Sequence, residues 1–319
     1  MIITDGLQKL SLLFDVLWYF PSLIERVAII GTLTSALEVL VGTNLITRLY
    51  NLIAEMENDP LLYSTKVYIL KIFASLSNCM ELSRPDVASS TALVPIQKSI
   101  ELINIPLIVS CIFKEISNPI AEIRIQALYT LGMFASNHMT SINLFLYTQG
   151  GLQTLLTLLS SPSSPQIYSL TNWCLCILLK NYLSLDMTIK TGLTIEYIAC
   201  TIAQATMYQE NVNILSISVL SQSYLLPLCS STLEIKSIIN RILSLLFITN
   251  PELQRSCLIA LRRTIFRNEI LCLEIVNGMF VPGLISILNS DTAPPDNKLE
   301  CLGIFNSLIL KEHYAVNLI

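Results

Sequence analysis

The sequence predicts an all-α protein, an α-solenoid built by repeating one helical unit along the chain. Three observations carry this. Apolar residues recur at helical spacing in nearly every segment, and breaks rich in Pro, Asn and Ser interrupt them at regular distances. The segment ends Asn137, Asn181, Leu225, Asn268 and Glu312 stand about 44 residues apart, and Cys257-Leu258 and Cys301-Leu302 keep the same step inside their units. Apolar residues make up 53% of the chain while Gly (10 residues) and Pro (13) are sparse, which excludes a disordered polymer.

Residues 1–41 read as N-terminal cap helices. Leu7, Leu10, Leu13, Phe14 and Leu17 follow helical spacing up to Pro21, and Val27, Ile30, Leu33, Leu37 and Leu40 continue it. The layout departs from the later units, as terminal units of repeat arrays do. The first complete unit spans 42–78: a helix from Leu45 to Met56, the break Glu57-Asn58-Asp59-Pro60, and a helix from Tyr63 to Leu76 ending at Ser77-Asn78.

Residues 79–100 interrupt the rhythm. Pro85, Pro95 and Ser89-Ser90-Thr91 mark a loop between Ser83 and Ser99, open to two readings: a simple repeat insertion or a binding or regulatory loop. The rhythm then resumes over 101–137, with helices from Ile105 to Ile116 and from Ala121 to Ala135 around Ser117-Asn118-Pro119. The clearest unit is 150–181. A glycine pair precedes the apolar run Leu152–Leu159, a Ser/Pro break follows, and a second apolar run carries Trp173. Units 192–226, 233–268 and 278–312 complete the array, with helices expected over Gly192–Met207, Ile214–Leu226, Leu233–Ile248, Leu253–Phe266, Met279–Leu288 and Leu299–Leu310.

Charged residues are only 13% of the chain and mean hydropathy is +0.62, high for a soluble solenoid. The 55 residues between Arg124 and Lys180 contain no Asp, Glu, Lys or Arg. Spanning a membrane takes about 20 apolar residues in a row. Ser136-Asn137-His138, Gln149-Gly150-Gly151 and the Ser/Pro run at 160–165 break the stretch into pieces of core-helix length, so no transmembrane span is expected. The net charge of −4 and pI near 5.3 argue against nucleic acid as the main partner, because backbone binding needs many convergent Lys and Arg. Nine cysteines without a CxxC pair, and no Asn-x-Ser/Thr sequon, point to reduced thiols in a cytoplasmic protein, with the nucleus as the other compartment.

A period of 40 to 47 residues with two or three helices per unit is the mark of armadillo and HEAT repeats. The unit 150–181 resembles an armadillo repeat: Gly151 matches the glycine taken to precede a long third helix, Leu155 and Leu158-Leu159 its apolar positions, and Trp173 and Leu175 a second helix. The resemblance implies a right-handed superhelix with a concave groove for an extended or helical partner segment. The nuclear-import adaptors of this superfamily place an Asn four residues after a groove Trp. Here that position is Ile177, Trp18 lies outside the clear array, and the adaptor pattern is not met.

Catalytic and metal motifs are missing from the sequence. No phosphate-binding glycine loop occurs, and the two histidines, His138 and His313, belong to no ligand-spaced group. Cys174 and Cys176 are two apart on a helix and face different ways. No catalytic residue, metal or cofactor is therefore expected.

Two features bear on binding. Trp173 is either core or a groove anchor. Lys236, Arg241, Arg255, Arg262, Arg263 and Arg267 supply 6 of the chain's 19 basic residues, against only Glu234 and Glu252 in the same stretch. Arg263 and Arg267 share a helix face, while Arg262 points partly elsewhere. The cluster is either a solvated face or a cradle for an acidic or phosphorylated peptide, which Arg pairs with through two parallel bonds. The expected function is a non-catalytic scaffold or adaptor holding a partner protein segment in its groove. The alternative is a structural subunit of a large multiprotein assembly, or one lying against a membrane surface, which would cover the apolar surface.

Overall fold

Each apolar stripe of the sequence has to be buried against a neighbouring helix, and the structure satisfies this with helices alone. A computed structural model describes residues 45–55, 63–81, 105–137, 142, 150–161, 164–183, 191–207, 209–276 and 280–310. The helices expected over 1–41 with Trp18, the loop at 83–99, His138 and His313 lie outside the described residues. Every regular element among the described residues is helical. Contacts divide the chain into two compact units, residues 1–152 with 164–170, and residues 153–163 with 171–319.

In the first unit the helices are α1 (Leu45–Glu55), α2 (Tyr63–Glu81), α3 (Ile105–Ile116) and α4 (Ala121–Asn137). α1 packs on α2 and α3, and α4 packs on both α2 and α3. Ile53, Ile69, Phe73, Ile108, Ile112, Leu128 and Phe134 form its solvent-free core. The turn from α3 to α4 is set by Asn118, whose Oδ1 accepts the Ile120 N–H at 2.9 Å. Polar side chains then fix the stacking register. Thr130 Oγ1 lies 3.0 Å from the Leu70 carbonyl of α2, and Asn137 Nδ2 donates to the Ser77 carbonyl at 3.2 Å. A buried ion pair joins α2 to α3: Lys66 Nζ lies 2.9 Å from Glu115 Oε1, with 4% and 2% of the side chains exposed.

α5 (Gly151–Ser160) and α6 (Pro165–Tyr182) form the clearest sequence unit. Gly150 carries the left-handed φ of +65° that starts it, a conformation glycine adopts without steric cost. Gly151, matched to the armadillo glycine, is instead the first helical residue. It opens a helix of 10 residues, not the long one; the long helix is α6, with 18 residues, and it carries Trp173.

The remaining helices of the second unit are α7 (Ile195–Ala205), α8 (Val212–Leu225), α9 (Leu233–Leu245), α10 (Pro251–Arg267), α11 (Glu269–Val276), α12 (Phe280–Asn289) and α13 (Pro295–Ile309). They form two layers. α8, α10 and α13 pack in succession in one layer, and α7, α9, α11 and α12 succeed each other in the other. This is the double layer of an α-solenoid, in which each unit contacts only its neighbours.

Local chemistry starts these helices. Thr194, Asn211, Thr232 and Asn250 accept N-terminal amide protons of α7, α8, α9 and α10. α10 starts at Pro251, two residues before the apolar pattern does, because a proline at the first helical position loses no hydrogen bond. α8 shows why so few charges suffice. It is covered on nearly all sides, and small buried serines let its neighbours approach. Two of its buried polar groups bond to α7 and its C-terminal turn: Gln222 Nε2 donates to the Ala199 carbonyl at 2.8 Å, and Ser218 Oγ lies 3.0 Å from Thr206 Oγ1.

Among the described residues no single helix is long and apolar enough to cross a membrane. α11 and α12 reach that length and composition only as a pair bent by 72°. Leu271, Cys272, Ile275, Phe280 and Leu284 of that pair are buried in the protein core.

Candidate functional site

Within the second unit, residues of four helices line an open groove of about 600 Å³. α6 contributes Leu179 and Lys180, α8 contributes Ser223 and Tyr224, α10 contributes Arg262, Arg263, Phe266 and Arg267, and α13 contributes Gly303, Asn306 and Ser307. Leu183, Pro227 and Leu228 complete the lining, which holds four cations and no carboxylate among the described residues.

Each arginine is positioned differently. Arg263 Nη1 donates to Ser223 Oγ at 2.7 Å, and Ser223 in turn donates to the Leu220 carbonyl at 2.6 Å. The Arg263 guanidinium stacks on Tyr224 with its carbon 4.5 Å from the ring centre, a geometry that holds the cation flat and leaves its edge for an anion. Arg262 turns the other way, toward α13, where Nη1 lies 3.0 Å from Glu300 Oε2. Gly303 makes this possible: a Cβ there would fall 2.9 Å from both Cδ and Nη1 of Arg262. Arg267, one turn beyond Arg263, is exposed at the groove's edge.

The structure therefore brings Arg262, Arg263 and Arg267 together and separates the other basic residues from them. Arg262, read as pointing partly elsewhere, does turn from Arg263 toward Glu300 of α13, yet it still lines the same groove. Arg255 sits two turns earlier on α10 and pairs with Asp296 at 2.9 Å, with both side chains more than half exposed. Lys236 and Arg241 line a separate pocket among α7, α9 and α11 with Glu234 and Glu274, where the charges balance. Lys236 bonds Glu274. Arg241 caps the C-terminus of α7, donating to the carbonyls of Ala203 at 3.1 Å, Thr206, and Met207 at 2.9 Å. That is a structural task, the pairing of a cation with the unsatisfied carbonyls at a helix end. Trp173 is half-buried on α6 and does not line the groove.

Lys180, Phe266 and Gly303 belong to the groove and were not singled out from sequence. The period itself carried a signal for Lys180: it lies 44 residues before Tyr224, at the same level of the neighbouring unit.

Among the described residues no cysteine lines the groove. Burial pushes the thiols of Cys111, Cys229 and Cys257 up to about 12. Cys176, one turn before Lys180, is also raised by burial, although Ser221, Lys180 and Arg263 act against it. Among the described residues no group of three His, Cys, Asp or Glu stands together to hold a metal.

No protein-family model matches the chain. No curated protein matches its sequence either. Solved structures do match its fold. A designed armadillo repeat protein in complex with the peptide (KR)4 superposes with a TM-score of 0.55 at 14% identity, covering 76% of this chain and 98% of that one. A computationally designed armadillo repeat protein for modular peptide recognition gives 0.54 at 13% identity, covering 75% and 93%. An engineered protein, structural genomics target OR497, gives 0.62 at 14% identity, covering 93% and 67%. At such identities the likeness speaks for the fold: the chain is an all-α solenoid of armadillo-like repeats.

Proposed function

We propose that this protein is a non-catalytic interaction scaffold that holds an extended, anionic segment of a partner protein in the groove of α6, α8, α10 and α13. The observation that carries this is the lining: among the described residues Lys180, Arg263 and Arg267 converge on it with no carboxylate in the lining, and Arg262, paired with Glu300, stands beside them. Arg263 is already oriented by Ser223 and Tyr224, so little side-chain freedom is lost when an anion arrives. A carboxylate or a phosphorylated side chain supplies the matching oxygens. The armadillo-like fold supports a peptide as the ligand, and the positive lining of the groove favours an acidic or phosphorylated one. A cytoplasmic or nuclear setting goes with this reading, supported by the buried thiols of Cys111, Cys229 and Cys257.

Fluorescence anisotropy with labelled peptides tests it. Glutamate-rich and phosphoserine peptides should bind the full chain, a glutamine-substituted control should not, and raising the salt concentration should weaken binding. Equal binding of the glutamine control would overturn the proposal.

A second reading is favoured by one separate feature. Leu299, Leu302 and Ile309 of α13, with Leu310 at its C-cap, lie along one face and are 54–68% exposed. A structural subunit of a larger multiprotein or membrane-associated assembly would cover such a stripe. Sizing of the native complex distinguishes the two: a fixed, stoichiometric assembly supports the subunit, a monomer with exchanging partners the scaffold.

A further inference from the structure

We propose that the groove selects segments in which an anionic side chain and a large apolar side chain stand two positions apart, a specificity that rests on the groove reading above. The basis is a polarity across the groove. On the α8 side the wall is cationic. Arg263 and Arg267 form one row on α10, Arg263 reaches Ser223 and Tyr224 of α8, and Lys180 stands on α6. On the α13 side the wall carries no free charge. Arg262 and Phe266 form the second row of α10, and Arg262 is neutralised by Glu300. Phe266 leaves 63% of its surface exposed, and Leu228 at the groove's edge leaves 49%. α13 itself lines the groove only with Gly303, Asn306 and Ser307.

The spacing follows from helix and strand geometry. Arg263 and Phe266 are three residues apart on a helix, which separates their Cβ atoms by roughly 5–6 Å. In an extended segment, side chains on the same side recur every second residue, about 6.6 Å apart. Adjacent residues point to opposite sides and cannot reach both rows. The groove therefore fits anion-x-apolar, read in one chain direction or the other, with the anion on Arg263 and Arg267 and the apolar side chain on Phe266. Charge complementarity fixes the anion, and the exposed ring fixes its neighbour.

The test uses labelled nonapeptides and anisotropy on the full chain. The peptides carry Glu-x-Phe, Phe-x-Glu, adjacent Glu-Phe, or Glu with Ala in place of Phe, and the tightest is repeated with phosphoserine for Glu to tell phosphate from carboxylate. One spaced peptide is expected to bind at least about tenfold tighter than the adjacent and Phe-free peptides. Phe266→Ala should remove that advantage, while Arg263→Glu with Arg267→Glu should weaken every peptide. If the spaced peptides bind no better than the Phe-free one, or keep their advantage on Phe266→Ala, the spacing rule is overturned while the groove reading stands. If no anionic peptide exceeds a glutamine control, both fall.

Discussion

Replacing Lys66 by Met should be among the most damaging single changes in the first unit. Lys66 and Glu115 are 4% and 2% exposed, their charged atoms are 2.9 Å apart, and the second carboxylate oxygen accepts from Asn118 Nδ2 at 2.6 Å. Both ions have lost their water, and the Coulomb attraction together with the Asn118 bond offsets that loss. Lys66→Met keeps the length of the side chain and removes its charge, so packing changes little and the effect is electrostatic. Glu115 is then left buried with a neutral donor alone, which costs about 3–5 kcal/mol. The double variant Lys66→Met, Glu115→Leu removes both charges, and much of the loss should return, because no ion remains to be desolvated. Urea unfolding followed by circular dichroism measures this, with the midpoint and slope of the first unit's transition fitted separately if two transitions appear. A loss below about 1 kcal/mol for the single variant would mean that the pair is solvated and that its burial is misjudged. A double variant as unstable as the single would mean that the methylene packing, rather than the charge, was what mattered.

Three further outcomes are expected. Arg241→Met removes the charged donor to three carbonyls at the end of α7 and should lower stability by about 1–3 kcal/mol in the same urea assay, without changing the affinity of the groove for an anionic peptide. Gly303→Ala places a Cβ within 2.9 Å of Arg262; the flexible side chain can move, so stability should change by less than about 1 kcal/mol while the Arg262–Glu300 pair opens, visible as altered peptide affinity. The Ser230 N–H, donating at 2.9 Å, holds the Glu196 carboxyl below the usual carboxylate range. A lowered folded value stabilises the protein above the unfolded value and loses that contribution as pH falls through the folded one. The melting temperature of Glu196→Gln should thus lie below wild type near neutral pH and converge with it in acid, and a gap independent of pH would contradict this.

Much of the fold was legible because the repeat makes the same physical demand several times. α3 begins at Ile105 and ends at Ile116, where the apolar spacing and Ser117-Asn118-Pro119 place it. Two boundaries differ: capping by Asn250 with Pro251 starts α10 early, and α2 runs past Ser77-Asn78 to Glu81. The short α11 was missed because its eight residues are too few to show a period of their own. The asparagines at unit ends were visible as a pattern, but their work was not. Asn137 and Asn268 each donate to a carbonyl of the preceding unit, at Ser77 and Cys229, which ties stacking register to the end of the long helix.

The site was legible only in part. Counting charges found Arg262, Arg263 and Arg267, but it also gathered Lys236 and Arg241, which the topology sends to the other layer as ion pair and helix cap. A cluster in sequence becomes a cluster in space only when its residues share a layer. Phe266 gave no warning either, since one aromatic on an amphipathic helix reads like any core residue.

The most direct test of the central claim is a charge swap read by anisotropy. The protein carrying Arg263→Glu and Arg267→Glu is titrated with a glutamate peptide and with the same peptide bearing lysines, and wild type is titrated with both. The groove assignment predicts that the reversed protein loses the glutamate peptide by about 100-fold and gains the lysine peptide. If both proteins bind both peptides alike, an anionic partner does not lie in this groove.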